Sequence, residues 1–318
     1  MAAPLPVNLS HIAPPRIAAG NFTRDLDLTH EELGNLLDLT ARVKSHPARF
    51  AQALTGNYIS LLFEKPSLRT RLTFELAIKQ LGGDAVTSTG AIGDREPLKD
   101  VARNLDRWTN AIVARTFSQQ TIDSLAQWSS VPVINALSDM YHPCQAIADV
   151  FTLQEQFGDL RGLKLAFVGD GNNVAHSLML CAARLGMHFV IGCPTGYGPN
   201  PEIVAQAEGL AAVSGVSLEV THDPVQAVAG AHAVYTDVWT SMGQESEQQQ
   251  RLADFAAFQV NETLFGKARP DARFMHCLPA KRGEEVSDEV IESAHSVVFD
   301  QAENRLHAQK ALLLMLLG

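Results

Sequence analysis

Two arginines and two hydroxyls fall within the five residues Ser67-Leu68-Arg69-Thr70-Arg71, a grouping of cations and hydrogen-bond donors suited to a small, multiply charged anion. The run Tyr58 to Phe63 ahead of it is short and apolar, as a buried strand is, and Pro66 stops extended pairing. After Ser67 the apolar residues Leu68, Leu72, Leu76 and Phe74, Ile78, Leu81 recur three or four apart until Gly82-Gly83. That spacing predicts a helix with Ser67 at its N-cap. Its first turn carries unpaired backbone N–H groups and the positive end of the helix dipole, so it forms an anion site. A capped helix with a solvated basic first turn is the plain alternative. Arginine this early opposes the dipole, however, and a bound phosphate supplies the reason for two of them.

Other reactive side chains fall just after apolar runs. Arg115 closes Ala111-Ile112-Val113-Ala114, where a charged residue is either the chain surfacing or part of a site at a strand end. In Tyr141-His142-Pro143-Cys144-Gln145-Ala146-Ile147-Ala148-Asp149, Pro143 suits the first helical position, which sets His142 at the junction and Gln145 in the first turn. A lone histidine there is ordinarily a capping residue. Asp237 follows the run Ala233 to Thr236 and leads into Ser241-Met242-Gly243. A carboxylate for an ammonium group, with hydroxyl and backbone groups for a carboxylate, is complementary to a free amino acid; an Asp capping the next helix is the alternative. Cys277 in an apolar run reads as a small core residue, and Arg305 as a partner of Glu303 or of solvent.

The elements that must position these residues alternate. Helical periodicity starts near His30 and runs loosely to Ala51, and short apolar runs follow at Tyr58 to Phe63, Asp84 to Ser88, Ala111 to Arg115 and Val131 to Asn135. A helix from Pro143 to about Phe157 bridges to a second series, with strands at Leu163 to Val168, Met187 to Ile191, Ser217 to Thr221, Ala233 to Thr236 and Arg273 to Met275. Strands alternating with helices predict an α/β protein of two domains, each a parallel sheet flanked by helices. Ligands in such sheets sit at the carboxyl ends of the strands, where the residues above fall. The segment Gly90 to Pro97 is glycine-rich, charged and without periodicity, a composition suited to a mobile lid or a subunit contact.

A nicotinamide-dependent dehydrogenase is the strongest rival. Gly169-Asp170-Gly171 after a strand resembles the start of a dinucleotide fingerprint, but Val174 stands where the third glycine belongs. About twenty residues on, Gly192-Cys193-Pro194 replaces the acid that should hold the ribose. Asn172 and Asn173 then read as turn residues.

With 318 residues, 46% hydrophobic and 19% charged, the chain is of ordinary globular composition. Its net charge of -10 with no basic tract argues against nucleic acid, so any anion site is local. The cysteines Cys144, Cys181, Cys193 and Cys277 have no paired metal spacing and are too sparse for a disulfide framework, which favours a reducing, cytoplasmic setting. No stretch approaches the roughly 20 continuous apolar residues of a membrane span. Residues 1 to 24 carry four prolines, two arginines and no hydrophobic signal core, and read as an N-terminal extension.

The motifs Phe63-Glu64-Lys65-Pro66-Ser67-Leu68-Arg69-Thr70-Arg71, His142-Pro143-Cys144-Gln145, Asp237-Val238-Trp239-Thr240-Ser241-Met242-Gly243, His276-Cys277-Leu278-Pro279 and Glu303-Asn304-Arg305 occur in one order over nearly the whole chain. Together they resemble the aspartate and ornithine carbamoyltransferases, and the Asp237 motif resembles the ornithine loop, not its aspartate counterpart. The resemblance implies carbamoyl transfer from carbamoyl phosphate to the side-chain amine of L-ornithine, giving L-citrulline and phosphate, in arginine biosynthesis or, reversed, citrulline breakdown. It implies that Ser67, Leu68, Arg69, Thr70, Arg115, His142, Gln145 and Arg305 bind carbamoyl phosphate, with Gln145 on the carbamoyl nitrogen. It implies that Asn173, Asp237, Ser241, Met242, Cys277 and Leu278 hold ornithine, and that Arg115, His142, Cys277 and Arg305 are catalytic. Residues 1–148 are then a carbamoyl phosphate-binding domain completed by the C-terminal helix 300–318, and residues 149–299 an ornithine-binding domain. The family implies a homotrimer and needs no metal or organic cofactor, since the anhydride is already activated. Ala91 departs from members whose neighbouring subunit reaches the phosphate with a polar side chain, leaving Arg95 or a backbone group to substitute. A catalytically silent relative is disfavoured by the intact motifs.

Overall fold

A computed structural model describes residues 15–65, 67–241 and 244–318, with only the backbone of Glu245. The reading of residues 1–14 as an extension, and the Pro66 and Met242 assignments, lie outside the described residues.

The first half contains α1 (His30–Ser45), β1 (Tyr58–Phe63), α2 (Leu68–Gln80), β2 (Asp84–Thr89), α3 (Leu98–Trp108), β3 (Ala111–Arg115), α4 (Gln119–Trp128), β4 (Val133–Leu137) and α5 (Pro143–Phe157). The second contains β5 (Lys164–Val168), α6 (Asn173–Leu185), β6 (His188–Gly192), α7 (Pro201–Ser214), β7 (Leu218–Thr221), α8 (Pro224–Val228) and β8 (Ala233–Thr236). It continues through α9 (Gln248–Asp254), α10 (Glu262–Phe265), β9 (Arg273–His276), α11 (Asp288–Ile291) and the closing helix α12 (Val298–Leu317). Both sheets are parallel, in the orders β2-β1-β3-β4 and β7-β6-β5-β8-β9. The order reverses between β1 and β3 in one sheet and between β5 and β8 in the other. Each reversal opens a crevice at the carboxyl edge, and each anticipated substrate loop leaves the sheet there.

Residues Ile59 to Phe63 and all of β3 are buried, as strands covered on both faces must be. Edge strand β2 is largely exposed. Helix α5 is buried continuously from Pro143 to Leu153 and packs against α6 on one side and α12 on the other. As expected, α12 returns to the first half, packing on α1, α2 and α5. Lys44 Nζ donates to Asn304 Oδ1 at 2.8 Å, and Lys310 Nζ donates to Gln80 Oε1. No described helix is long and apolar enough to cross a membrane.

Most strand ends fall within one residue of expectation, and two elements differ for a visible physical reason. The periodicity running to Ala51 breaks because Pro47 has no N–H to continue α1, and a short 3-10 turn at Pro47–Phe50 replaces its end. The strand expected at Val131 to Asn135 begins at Val133 and extends to Leu137. Asp106 Oδ1 captures the N–H groups of Ser130 and Val131, at 2.6 and 2.9 Å, and Pro132 has none to offer.

Asp25, in a single turn (Asp25–Asp27), is buried against α6, where Ser177 Oγ donates to its Oδ2 at 2.6 Å. Burial pushes its carboxyl up to about 6, against hydrogen bonds that lower it. Between the ordinary value of 3.8 and about 6 the folded state therefore holds a proton that the unfolded state has lost. Wild-type stability falls as pH rises through that window, by on the order of 2–3 kcal/mol from this group. Asp25→Asn lacks this dependence. Its urea midpoint relative to wild type should rise between pH 4 and pH 6.5, and a constant difference would show that Asp25 is not shifted.

Candidate active site

At the crevice of the first sheet, β1 ends on Phe63 and α2 begins at Leu68 with Ser67 as N-cap, although the serine side chain makes no capping bond. The first turn of α2 contains no acid. Glu64 fixes the loop: its backbone N–H donates to Arg115 O, while its carboxylate accepts from Phe117 N–H at 2.8 Å and Ile92 N–H at 3.1 Å. One acid thus ties together the turn after β1, the turn after β3 and the start of the Gly90 to Pro97 segment. Arg69 and the exposed Leu68 flank the buried Thr70.

The Thr70 hydroxyl is where two distant guanidinium groups meet. Arg305 Nη2 donates to Thr70 Oγ1 at 2.6 Å, and Arg115 Nη1 approaches the same oxygen at 3.5 Å. Arg305 is 3% exposed and Arg115 8%. The Nε atoms of both are buried without a hydrogen-bond partner. Burial and the Arg305 charge bring Arg115 down to about 10, which leaves it a cation at neutral pH. His142, the residue before α5, is buried beside them. Burial and then the two arginines hold its imidazole well below the ordinary value, so it is a neutral donor or acceptor, and its Nδ1 is unpartnered. Its backbone N–H donates to Ser177 Oγ at 2.9 Å, linking it to α6. Gln145, one turn into α5, directs Nε2 to Asp149 and leaves Oε1 without a partner. Ser67, Arg69, Thr70, Arg115, His142, Gln145 and Arg305 therefore share one end of the first sheet and its covering helices. Buried cations and unpartnered polar atoms together can bind a compact dianion and polarise a carbonyl.

The second crevice lies across α5. Asp237 follows β8, is buried, and takes Asn172 Nδ2 on Oδ2 at 2.8 Å and Cys277 Sγ on Oδ1 at 3.1 Å. Burial and the Asp237 carboxylate raise the Cys277 thiol well above its ordinary value, so it acts as a donor and not as a thiolate nucleophile. Asn172 also caps α6, its Oδ1 accepting from the Val174 and Ala175 N–H groups. The sequence reading gave it only a turn role. Asn173 Nδ2 donates to Ser138 O at 2.5 Å, and Ser241 lies half-buried on the loop beyond Asp237. Arg251, also missed, clamps that loop by donating to Asp170 Oδ2 and Trp239 O, each at 3.0 Å. Gly171 needs no dinucleotide to explain it: a Cβ there would lie 2.2 Å from Pro199 N.

Cys277 and Leu278 sit on a turn held by a buried pair. His276 Nδ1 accepts from Leu278 N–H at 2.8 Å, and its Nε2 meets Glu285 Oε1 at 3.2 Å. These bonds hold Leu278 at φ +57°, a conformation unusual for a branched residue. Asp237, His276 and Cys277 each bring one potential ligand atom within 4.8 Å of the others. Both ring nitrogens of His276 are engaged and the thiol is protonated, so this trio is a hydrogen-bonded support and does not suit a cation.

A family profile described as the carbamoyl-P binding domain of aspartate/ornithine carbamoyltransferase matches residues 21–155, and one described as the Asp/Orn binding domain matches residues 161–316. The chain is 50% identical over 305 residues to the ornithine carbamoyltransferase of Parasynechococcus marenigrum, covering 95% of each chain. The ornithine carbamoyltransferase structure from Pyrococcus furiosus superposes with a TM-score of 0.92 at 46% identity, covering 95% of this chain and 98% of that one. An acetylornithine transcarbamylase complexed with acetylcitrulline gives 0.85 at 34% identity, over 94% and 99%.

The buried cations generate a prediction. Arg305→Met removes a charge whose burial is unfavourable without an anion, but also a charge-assisted anion contact worth about 1.5–3 kcal/mol. Calorimetric affinity for carbamoyl phosphate should fall about tenfold or more, while the urea midpoint of the ligand-free protein holds or rises. Unchanged affinity with a lowered midpoint would make Arg305 a structural residue.

Proposed function

Because the chain belongs to the aspartate/ornithine carbamoyltransferase family, we infer that it transfers the carbamoyl group of carbamoyl phosphate to the side-chain amine of L-ornithine, giving L-citrulline and phosphate. The observation that carries this reading is the meeting of Arg115 and Arg305 on the Thr70 hydroxyl, opposite an Asp237 carboxylate held by Asn172 and Cys277. The Cys277 side of the ammonium site lies near enough to Arg115 and Arg305 to interact with their charges, so the two sites adjoin. Residues 1–148 with 300–318 form the carbamoyl phosphate-binding domain, and residues 149–299 the ornithine-binding domain.

Ser67, Leu68, Arg69 and Thr70 bind the phosphate through the first turn of α2 and its charge. Arg115 spans phosphate and carbonyl, and His142 and Arg305 join it at the carbonyl oxygen. The neutral amine attacks the carbonyl carbon, and the oxygen gains negative charge as the tetrahedral intermediate forms, where fixed donors act most strongly. The carbon–oxygen bond to phosphate then breaks, and the leaving phosphate takes the amine's proton. Gln145 Oε1 accepts from the carbamoyl nitrogen. Asn173, Asp237, Ser241, Met242 and Leu278 hold the amino-acid end, with Asp237 facing the α-ammonium, and Asp237 and Cys277 together steer the side-chain amine. A neutral imidazole at His142 suits this role, since a third cation beside the arginines would be costly.

The assembly is a homotrimer. Leu72 and Leu76 on α2 and Val86 on edge strand β2 are exposed, Val86 by 59%. Beside them a groove of about 450 Å³ is lined by Ser67, Leu68, Arg71 and Gly90 among others. Exposed apolar side chains along an open sheet edge fit a subunit contact. Light scattering should give three times the chain mass, and a fully active monomer would overturn the assignment. The buried free thiols of Cys144, Cys181 and Cys193 suit a cytoplasmic location.

The likeness to an acetylornithine enzyme makes the α-amine the discriminating test. Acetylation removes the charge opposite Asp237, a loss of about 3–5 kcal/mol for a partly buried pair. N-acetylornithine should then show a kcat/KM lower by about a hundredfold or more. Asp237→Asn should cripple turnover of ornithine and leave carbamoyl phosphate affinity nearly intact. Equal use of both amines would overturn the assignment of the loop after Asp237.

A further inference from the structure

Helix α5 carries an aspartate that the mechanism above does not use. Asp149 is 0% exposed on a helix buried continuously from Pro143 to Leu153, where a carboxyl group needs a reason to be kept. Three donors converge on it. Gln145 Nε2 and Gln301 Nε2 each reach Oδ1 at 2.7 Å, and Tyr235 OH reaches Oδ2 at 3.1 Å. They come from α5, α12 and β8. Burial pushes the carboxyl up to about 7 against the pull of these donors and of Arg305.

The two ends of a glutamine amide have nearly the same shape, so its orientation is set by what its neighbours accept or donate. In its carboxylate form, which prevails above about pH 7, Asp149 accepts only; this turns the Gln145 nitrogen inward and leaves Oε1, buried and unpartnered, for the substrate. An oxygen there can accept from an –NH2 group and offers nothing to a methyl. Carbamoyl phosphate and acetyl phosphate differ by that one exchange, at equal charge and similar size. Resting on the carbamoyl-transfer reading above, we propose that Asp149 is a positioning residue that orients the Gln145 amide and thereby makes the site select a carbamoyl group over an acetyl group.

A site built to hydrogen-bond a substrate N–H rejects the analogue lacking it, because its own polar atom is left unpaired. The readout is the ratio of the inhibition constant of acetyl phosphate to the dissociation constant of carbamoyl phosphate, with inorganic phosphate as a third ligand. Wild type should show a ratio of about ten or more. Asp149→Ala frees the amide and should bring the ratio close to one, while phosphate affinity holds or rises because Arg305 loses a neighbouring anion. A ratio preserved while all three ligands weaken together would mean that Asp149 only ties the helices, and would overturn the proposal. Should that variant not fold, a near-isosteric exchange decides. Gln145→Glu sets two acceptors face to face and should lose carbamoyl phosphate binding. Adding Asp149→Asn restores a donor facing an acceptor and should recover about tenfold or more of it. A double variant no better than Gln145→Glu alone would contradict the proposal. Citrulline formation by the wild type is the control, since its absence would fail the carbamoyl-transfer reading and not this one.

Discussion

Two guanidinium groups buried side by side repel one another, and Arg115 and Arg305 do so around a single threonine hydroxyl. The acid that lowers this cost, Asp149, is itself occupied by three donors. A folded chain keeps such an arrangement when the rest of the structure holds it and a ligand relieves it. Here Arg115 is fixed by strand β3 and Arg305 by helix α12, 190 positions later in the chain. The repulsion is therefore opposed by the packing of both elements, and an arriving dianion meets cations that need no rearrangement.

That constraint explains the topology. If α12 did not cross back over α5 to lie on α1 and α2, Arg305 would lie far from Thr70. Helix α5 consequently presents His142 and Gln145 toward the first crevice and Asp149 toward β8 and α12. Ser177 on α6 accepts the His142 N–H while Asn172, at the head of the same helix, orients Asp237. One helix of the second half thus touches the machinery of both crevices.

Much of this was legible before any coordinates. Short apolar runs located β1 and β3 to the residue, because buried parallel strands leave little room for polar side chains. Local signals also placed Ser67 and Pro143 at helix starts. What escaped were roles that depend on a distant partner and that no motif marked. Asp149 was visible as an acid four residues after Gln145, yet Gln301, 152 positions further on, and Tyr235 give it its purpose. Asn172 looked like a turn residue because its second bond, to Asp237, spans the fold. Arg251 lies in a polar stretch whose only sequence signal was an arginine four residues after Glu247. The misplaced edge of β4 has the same origin, since Asp106 takes the donors that the strand pattern assumed were free.

The central claim is that the first crevice is a set of fixed cations poised for a dianion. Its most direct test is the melting temperature of the wild-type protein titrated with inorganic phosphate at constant ionic strength. A ligand that binds only the folded state stabilises it by RT ln(1 + [L]/Kd), so the account predicts a rise that keeps growing with the logarithm of phosphate concentration. Chloride at matched ionic strength should not reproduce it. Equal responses to phosphate and chloride would contradict the account, because simple screening of the arginines would then suffice.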